Sequence, residues 1–167
     1  MIEMHVAGIA LDASSRLPIV LLKDGTGRRA LPIWIGQTEA RSILSALENQ
    51  RPQRPMTHDL MANCFMEWEL EITRVVIHSL EDSTYYAVLT MEQGGITKEI
   101  DARPSDAIAL ALRMDTPIWV LEEVVAEASM PVDQEADDQE QEEFREFLEN
   151  IQPGDFTKSL EGGEANG

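Results

Sequence analysis

Arg103 and His58 are the two residues whose placement calls first for a chemical explanation. Each falls at the start of an expected helix, where aligned peptide dipoles leave partial positive charge and favour anions. Three polar clusters open helices along the chain: Gln37-Thr38-Glu39, Thr57-His58-Asp59 and Arg103-Pro104-Ser105-Asp106. Capping accounts for most of them, because Thr57 and Ser105 are N-cap types and Glu39, Asp59 and Asp106 suit a first turn. Pro104 suits a first helical position. His58 can escape the dipole by staying neutral, which leaves it usable as a base or a metal ligand. Arg103 cannot lose its charge and needs a carboxylate or a bound anion.

If the three starts share a cleft, the free backbone N–H groups and Arg103 would hold a phosphate, with Thr57 and Ser105 as further substrate contacts. Glu39, Asp59 and Asp106 would be the ligands of a divalent cation such as Mg²⁺ or Mn²⁺, and His58 or the metal would activate water. The catalytic set would then be His58, Asp59, Arg103 and Asp106. The same residues make equal sense as structural hydrogen bonds and ion pairs, Arg103 to Asp106 or Asp101 for example. No HExxH zinc motif, phosphate-cradling glycine loop or GxSxG elbow occurs in the sequence.

The elements that must position these residues follow from periodicity. Residues 2–12 alternate as a strand with a phase change at Ala7-Gly8, which suggests a bulge. Strands over Arg16–Asp24 and Arg29–Ile35 complete an antiparallel meander around Asp24-Gly25-Thr26-Gly27, with Pro32 pointing to a sheet edge. Ala40, Ile43, Leu44 and Leu47 make one helical stripe; Leu60, Met61, Cys64, Phe65 and Trp68 make a second. Thr73–Leu80 and Thr84–Glu92 read as a hairpin, and Ile96–Ala102 as a strand feeding Ala107–Leu112, a helix apolar enough to be buried on most of its circumference. A short strand at Thr116–Val120 and a helix at Glu122–Ala128 follow. The expected class is α+β, a mixed, mostly antiparallel sheet with helices packed on one side, in a single domain of residues 1–129. Trp34 and Trp119 close strands and are expected in the core, whereas His5 and His78 are expected at the surface or an interface.

Beyond it come an acidic linker (130–143), a short amphipathic tail helix (144–152) carrying Phe144, Phe147 and Leu148, and a flexible end (153–167). The tail helix would dock on its own domain, on another subunit or on a partner.

The net charge of −18 over 167 residues disfavours non-specific nucleic-acid binding through a basic surface. It leaves room for a local anion site. No apolar run reaches the length of a membrane span, and the acidic, alternating N-terminus does not look like a signal peptide. The single cysteine, Cys64, rules out an internal disulfide, fits a reducing cytoplasm and is expected to be a buried thiol.

Four ordered blocks, LPIWIGQTEA (31–40), RPMTHDLM (54–61), RVVIHSLEDSTYYAVL (74–89) and IDARPSDAIALALR (100–113), resemble the bifunctional nuclease family. These are small, mostly bacterial domains with plant relatives described as acting on both RNA and DNA. The resemblance covers roughly residues 1–129, and the tail is similar to those of actinobacterial members. It implies an α+β homo-oligomer, dimer or higher, acting as a nuclease. The family's characteristic polar positions fall on Glu39, His58, Asp59, Arg103, Ser105 and Asp106, the six singled out above. One departure is the stretch Cys64–Glu71, more apolar and without the glycine often found there. A non-catalytic oligomeric module binding an anionic ligand or a protein is the competing expectation.

Overall fold

In the computed structural model, which describes residues 1–132, period-two and period-3.6 patterns resolve into eight strands and four helices. The strands are β1 (Ile2–Leu11), β2 (Pro18–Asp24), β3 (Arg29–Trp34), β4 (Glu71–Glu81), β5 (Thr84–Gln93), β6 (Ile96–Ala102), β7 (Ile118–Val120) and β8 (Met130–Pro131). The helices are α1 (Gln37–Leu47), α2 (Thr57–Glu67), α3 (Pro104–Met114) and α4 (Glu122–Ala128). All strands join one sheet in the order β6-β5-β4-β7-β1-β2-β3-β8, antiparallel except for β4 against β7. The fold is therefore α+β with a mixed, mostly antiparallel sheet.

Two meanders, β1-β2-β3 and β4-β5-β6, are joined through β7, whose three residues pair with Val75–Ile77 on one side and Ile2–Met4 on the other. The register of β1 on β2 shifts between Val6 and Gly8, the bulge expected at that glycine. The sheet curls enough for the Tyr85 hydroxyl of β5 to donate to the Pro32 carbonyl of β3 at 3.0 Å. Pro32 lies beyond the two β3 residues that β8 covers, and among the described residues no strand pairs with it on that side, so its missing N–H costs no ladder bond there. Met130 and Pro131, expected to begin the acidic linker, instead pair as β8 with Ala30 and Arg29. The rest of that linker, the tail helix and the chain end lie outside the described residues.

One apolar core lies between the sheet and the helices. Val20, Leu22, Val75, Ile77 and Val120 enter it from the sheet, Ile43 from α1, Ile108 and Leu110 from α3, and Val125 from α4. Ala107 through Ala111 are all buried, as the apolar run predicts. The small side chains at Ala107, Ala109 and Ala111 let α3 lie close to its neighbours, and it packs against α1, α2, β4 and β5 at once.

Two expectations about the core are corrected. Trp34 is 50% exposed: Leu31 and Ile33 take the core face of β3, and Trp34 stands at the end of the strand on the other face. Trp119 is half-buried, on the face opposite Ile118 and Val120. The second correction concerns α2, where only Ala62 is buried; Leu60, Met61, Met66 and the following Trp68 are exposed, and so is Cys64. The stripe is present, but most of it faces away from the core, so Cys64 is not an interior thiol.

Candidate active site at three helix starts

The topology brings the three helix starts together. α1 begins directly after β3, α3 directly after β6, and α2 crosses against α3. A cleft of about 920 Å³ opens between them, lined by Glu39, Ser42, Thr57, His58, Arg103, Asp106 and Arg113. Its apolar wall is formed by Met56, Met61, Leu89, Ile100 and Leu110.

None of the three helices uses the expected side-chain cap. The N-caps are Gly36, Met56 and Arg103, which moves Thr57 to the first helical position and Ser105 to the second. Ser105 is buried and does not line the cleft. Asp59 serves the start of α2 in another way, its carboxylate accepting the Met56 N–H at 2.9 Å.

Arg103 answers the dipole problem with carboxylates. Its Nε donates to Asp106 at 2.7 Å, and a terminal nitrogen lies 3.1 Å from Glu39. The guanidinium stays 66% exposed, so its outer face remains open to an anion. Glu39 reaches Arg103 by folding back over Gly36, where a Cβ would collide with the carboxylate. Glycine at this N-cap therefore leaves room for the ion pair.

His58 sits between two oxygens. Its Nε2 is 3.0 Å from Asp106 Oδ1, and its Nδ1 is 2.8 Å from Ser42 Oγ on α1. Burial pushes the Asp106 carboxyl up, but the hydrogen bonds from Arg103 and His58 and their charges outweigh it and hold the group below the usual carboxylate range. With Asp106 ionised, Nε2 must carry a proton and donate it, and in the neutral ring Nδ1 accepts from the Ser42 hydroxyl. Ser42, His58 and Asp106 form a continuous hydrogen-bonded chain across three helices.

Asp59 is drawn off to a different partner. Arg113, in the last turn of α3, donates from Nε to Asp59 at 2.6 Å, and also to the carbonyls of Ala109 and Ser42. Burial raises the Asp59 carboxyl, and the bonds from Arg113 and the Met56 N–H more than reverse that, leaving its pKa lowered. Asp59 does not line the cleft. It ties the start of α2 to the end of α3.

The structure therefore brings Glu39, Thr57, His58, Arg103 and Asp106 together and leaves Asp59 and Ser105 behind them. The carboxylate trio expected to hold a cation is not assembled: Asp59 is spent on Arg113, while Glu39 and Asp106 share Arg103. Among the described residues no group of three His, Cys, Asp or Glu side chains is placed to bind a metal ion. The donor set does not fit a divalent cation in this arrangement.

Sequence reasoning missed Ser42 and Arg113. Both had a signal in helical spacing: Ser42 is three residues after Glu39, and Arg113 seven after Asp106, positions that return to the same face. His5 is exposed as expected, and half-buried His78 has a neighbour, its ring 6.4 Å from that of Tyr86. No helix among the described residues is long and apolar enough to cross a membrane.

Comparison with known proteins agrees with the four sequence blocks. The profile of the bifunctional nuclease domain matches residues 20–133. An uncharacterised protein of Mycobacterium tuberculosis is 37% identical over 162 residues, spanning 92% of this chain and 97% of its own. Bifunctional nuclease 1 of Oryza sativa subsp. indica is 30% identical over 112 residues, covering 65% of this chain but 34% of the plant protein. The protein of the same name in Arabidopsis thaliana is 31% identical over 108 residues, 62% of this chain and 33% of its own. The chain belongs to the bifunctional nuclease domain family.

Proposed function

We propose that this member of the bifunctional nuclease family hydrolyses phosphodiester bonds of RNA or DNA in the cleft between α1, α2 and α3. The observation that carries the reading is the hydrogen-bonded chain from Ser42 through His58 to Asp106, beside the exposed guanidinium of Arg103. A phosphate in the mouth of the cleft would meet Arg103 and the unpaired first-turn N–H groups of α2, which include Thr57 and His58. Negative charge grows on the phosphoryl oxygens as a nucleophile arrives, and a fixed cation there stabilises that state more than the ground state. His58, oriented by Asp106, accepts the nucleophile's proton and returns it to the leaving alcohol. Glu39 holds Arg103 from the other side and sets its direction.

The overall charge of −18 weakens any grip on a long polyanion. Single strands and short oligonucleotides, which rely on one or two phosphate contacts, are the better substrates under this reading. The test is cleavage of end-labelled single-stranded RNA and DNA by the purified chain, with Mg²⁺, with Mn²⁺ and with chelator. His58→Ala and Asp106→Asn are expected to lower the rate by about 100-fold or more, the usual range for a lost general base. Cleavage by both variants at the wild-type rate would mean that the activity comes from elsewhere.

A second reading is favoured by the completeness of the ion pairs. Glu39 and Asp106 fix Arg103 in place while its side chain stays 66% exposed, and under this reading the cleft would bind a small anion without cleaving it. Calorimetric titration with a mononucleotide distinguishes the two: binding with no turnover, equally strong in His58→Ala, supports the receptor.

A further inference from the structure

We propose that Ser42 is the nucleophile of this cleft, forming a covalent phosphoryl-serine intermediate. The proposal deepens the phosphodiesterase reading and rests on it for the substrate class. Neither a sequence motif nor the residues characteristic of the family point to Ser42; its position in the folded chain does.

The first argument is occupancy of the imidazole. A base that activates bulk water needs a ring nitrogen facing solvent. Both nitrogens of His58 are engaged, Nε2 with Asp106 and Nδ1 with Ser42, and the side chain is only 13% exposed. Water could reach Nδ1 only by displacing the serine. The hydroxyl already in place to hand its proton to His58 is that of Ser42.

The second argument is direction. A serine inside a helix commonly turns its hydroxyl back to the carbonyl four residues earlier. Ser42 lies at the sixth position of α1, and its Oγ instead meets a side chain sixteen residues further along the chain. The residue also lines the cleft, so the same oxygen has access to a ligand. The serine–imidazole–carboxylate order is that of activated serine nucleophiles on unrelated folds, recognised by geometry rather than by chain position. Here the two ring nitrogens are exchanged, which leaves the proton inventory unchanged.

The chemistry balances in two steps. Ser42 Oγ attacks phosphorus while its proton passes to Nδ1 of His58; the bond from phosphorus to the leaving oxygen breaks, and that oxygen takes the proton from Nδ1. A Ser42 phosphodiester remains. Esterified Oγ no longer donates to Nδ1, so water takes that place, gives a proton to Nδ1 and attacks phosphorus, and Ser42 Oγ leaves and recovers the proton. No oxidant, metal or other co-reactant is consumed.

The experiment uses a fluorophosphonate, which phosphonylates activated serines with loss of fluoride, on the full chain, with the nucleic-acid cleavage assay in parallel. Mass spectrometry is expected to find one adduct on the peptide containing Ser42, absent in Ser42→Ala and at least about 100-fold slower to form in His58→Gln. Ser42→Ala suits a helix and is expected to fold, which thermal unfolding checks. Ser42→Cys, assayed for restored turnover, separates a lost nucleophile from a lost fold. An adduct at Ser42 without cleavage of RNA or DNA would support the nucleophile and overturn the nucleic-acid reading. Cleavage that survives in Ser42→Ala would overturn the nucleophile and leave the phosphodiesterase standing. Cleavage lost in Ser42→Ala without any adduct on the wild-type serine would also overturn it, leaving Ser42 as a positioning residue.

Discussion

Helices α2 and α3 are both eleven residues long, both open on a cluster of polar residues and both carry an apolar stripe, yet they occupy opposite environments. Seven residues of α3 are buried, and one of α2. The difference lies in what each helix packs against: α3 meets α1, α2, β4 and β5, and α2 meets chiefly α3. Alanines at 107, 109 and 111 bring α3 close to the sheet and to both neighbouring helices, so every face finds a partner. The larger Leu60, Met61 and Met66, with Trp68 at the C-cap, belong to a helix that touches the body chiefly through α3. The central helix supplies stability. The outer one supplies His58, held by polar ties rather than by apolar burial.

The comparison is most exposed to failure in the core. Leu110→Ala removes a fully buried side chain from α3 and is expected to cost about 2–5 kcal/mol in denaturant unfolding. Leu60→Ala removes one that is 57% exposed and should stay within about 0.5 kcal/mol. Similar losses from the two would mean that α2 is buried in solution.

Next in size is the tie between the two helices. Arg113→Ala strands the Asp59 carboxylate and frees two carbonyls, at an expected cost of about 1–3 kcal/mol. Arg113→Lys should recover little, since one ammonium cannot reproduce a fork that reaches three acceptors. Adding Asp59→Asn to Arg113→Ala should restore part of the loss, because it removes the stranded charge. If the double variant is simply additive, the pair is not what holds α2 in place.

How far the cleft was legible follows from which interactions are local. Arg103 to Asp106 spans three residues of one helix, so spacing alone exposes it. Three matching polar clusters were visible, but their convergence was only a condition, and the caps were misplaced: α2 and α3 are capped by Met56 and Arg103 rather than by Thr57 and Ser105. Ser42 to His58 and Arg113 to Asp59 join residues 16 and 54 positions apart, and only packing brings them together. Meander order and the β1 bulge were legible because period two and turn residues are local. The inward or outward choice for Trp34 and for the α2 stripe depends on what lies opposite, which no local pattern encodes.

Acid sensitivity sharpens the contrast between polar ties and apolar burial. Asp59 and Asp106 both have folded-state pKa values below those of the unfolded chain. Their pairings therefore contribute fully above the ordinary carboxylate value of about 3.9, and the contribution fades as pH falls through the lower folded values. Urea midpoints for the wild type should fall across that acid range. Asp59→Asn should start lower at neutral pH and fall less. An acid limb of unchanged steepness in the variant would assign the loss to other carboxyls.

The smallest expected effect carries the most information about α2. Leu60→Ser with Trp68→Ser removes two side chains that are already 57% and 74% exposed, so unfolding should shift by no more than about 0.5 kcal/mol per site. Exposed apolar residues gathered on one helix differ from single ones scattered over a surface, and such patches commonly meet a partner. Ile96 and Ile100 add to the apolar surface from β6, whose outer edge carries no paired strand among the described residues. Light scattering on the wild type and the double variant therefore reads the face directly. Equal mass and equal stability mean that α2 stands open to solvent, as it does in the isolated chain. A mass that halves together with a stability that falls with dilution would show that a second copy covers it, and the contrast between the two helices would then hold for one subunit but not for the assembly.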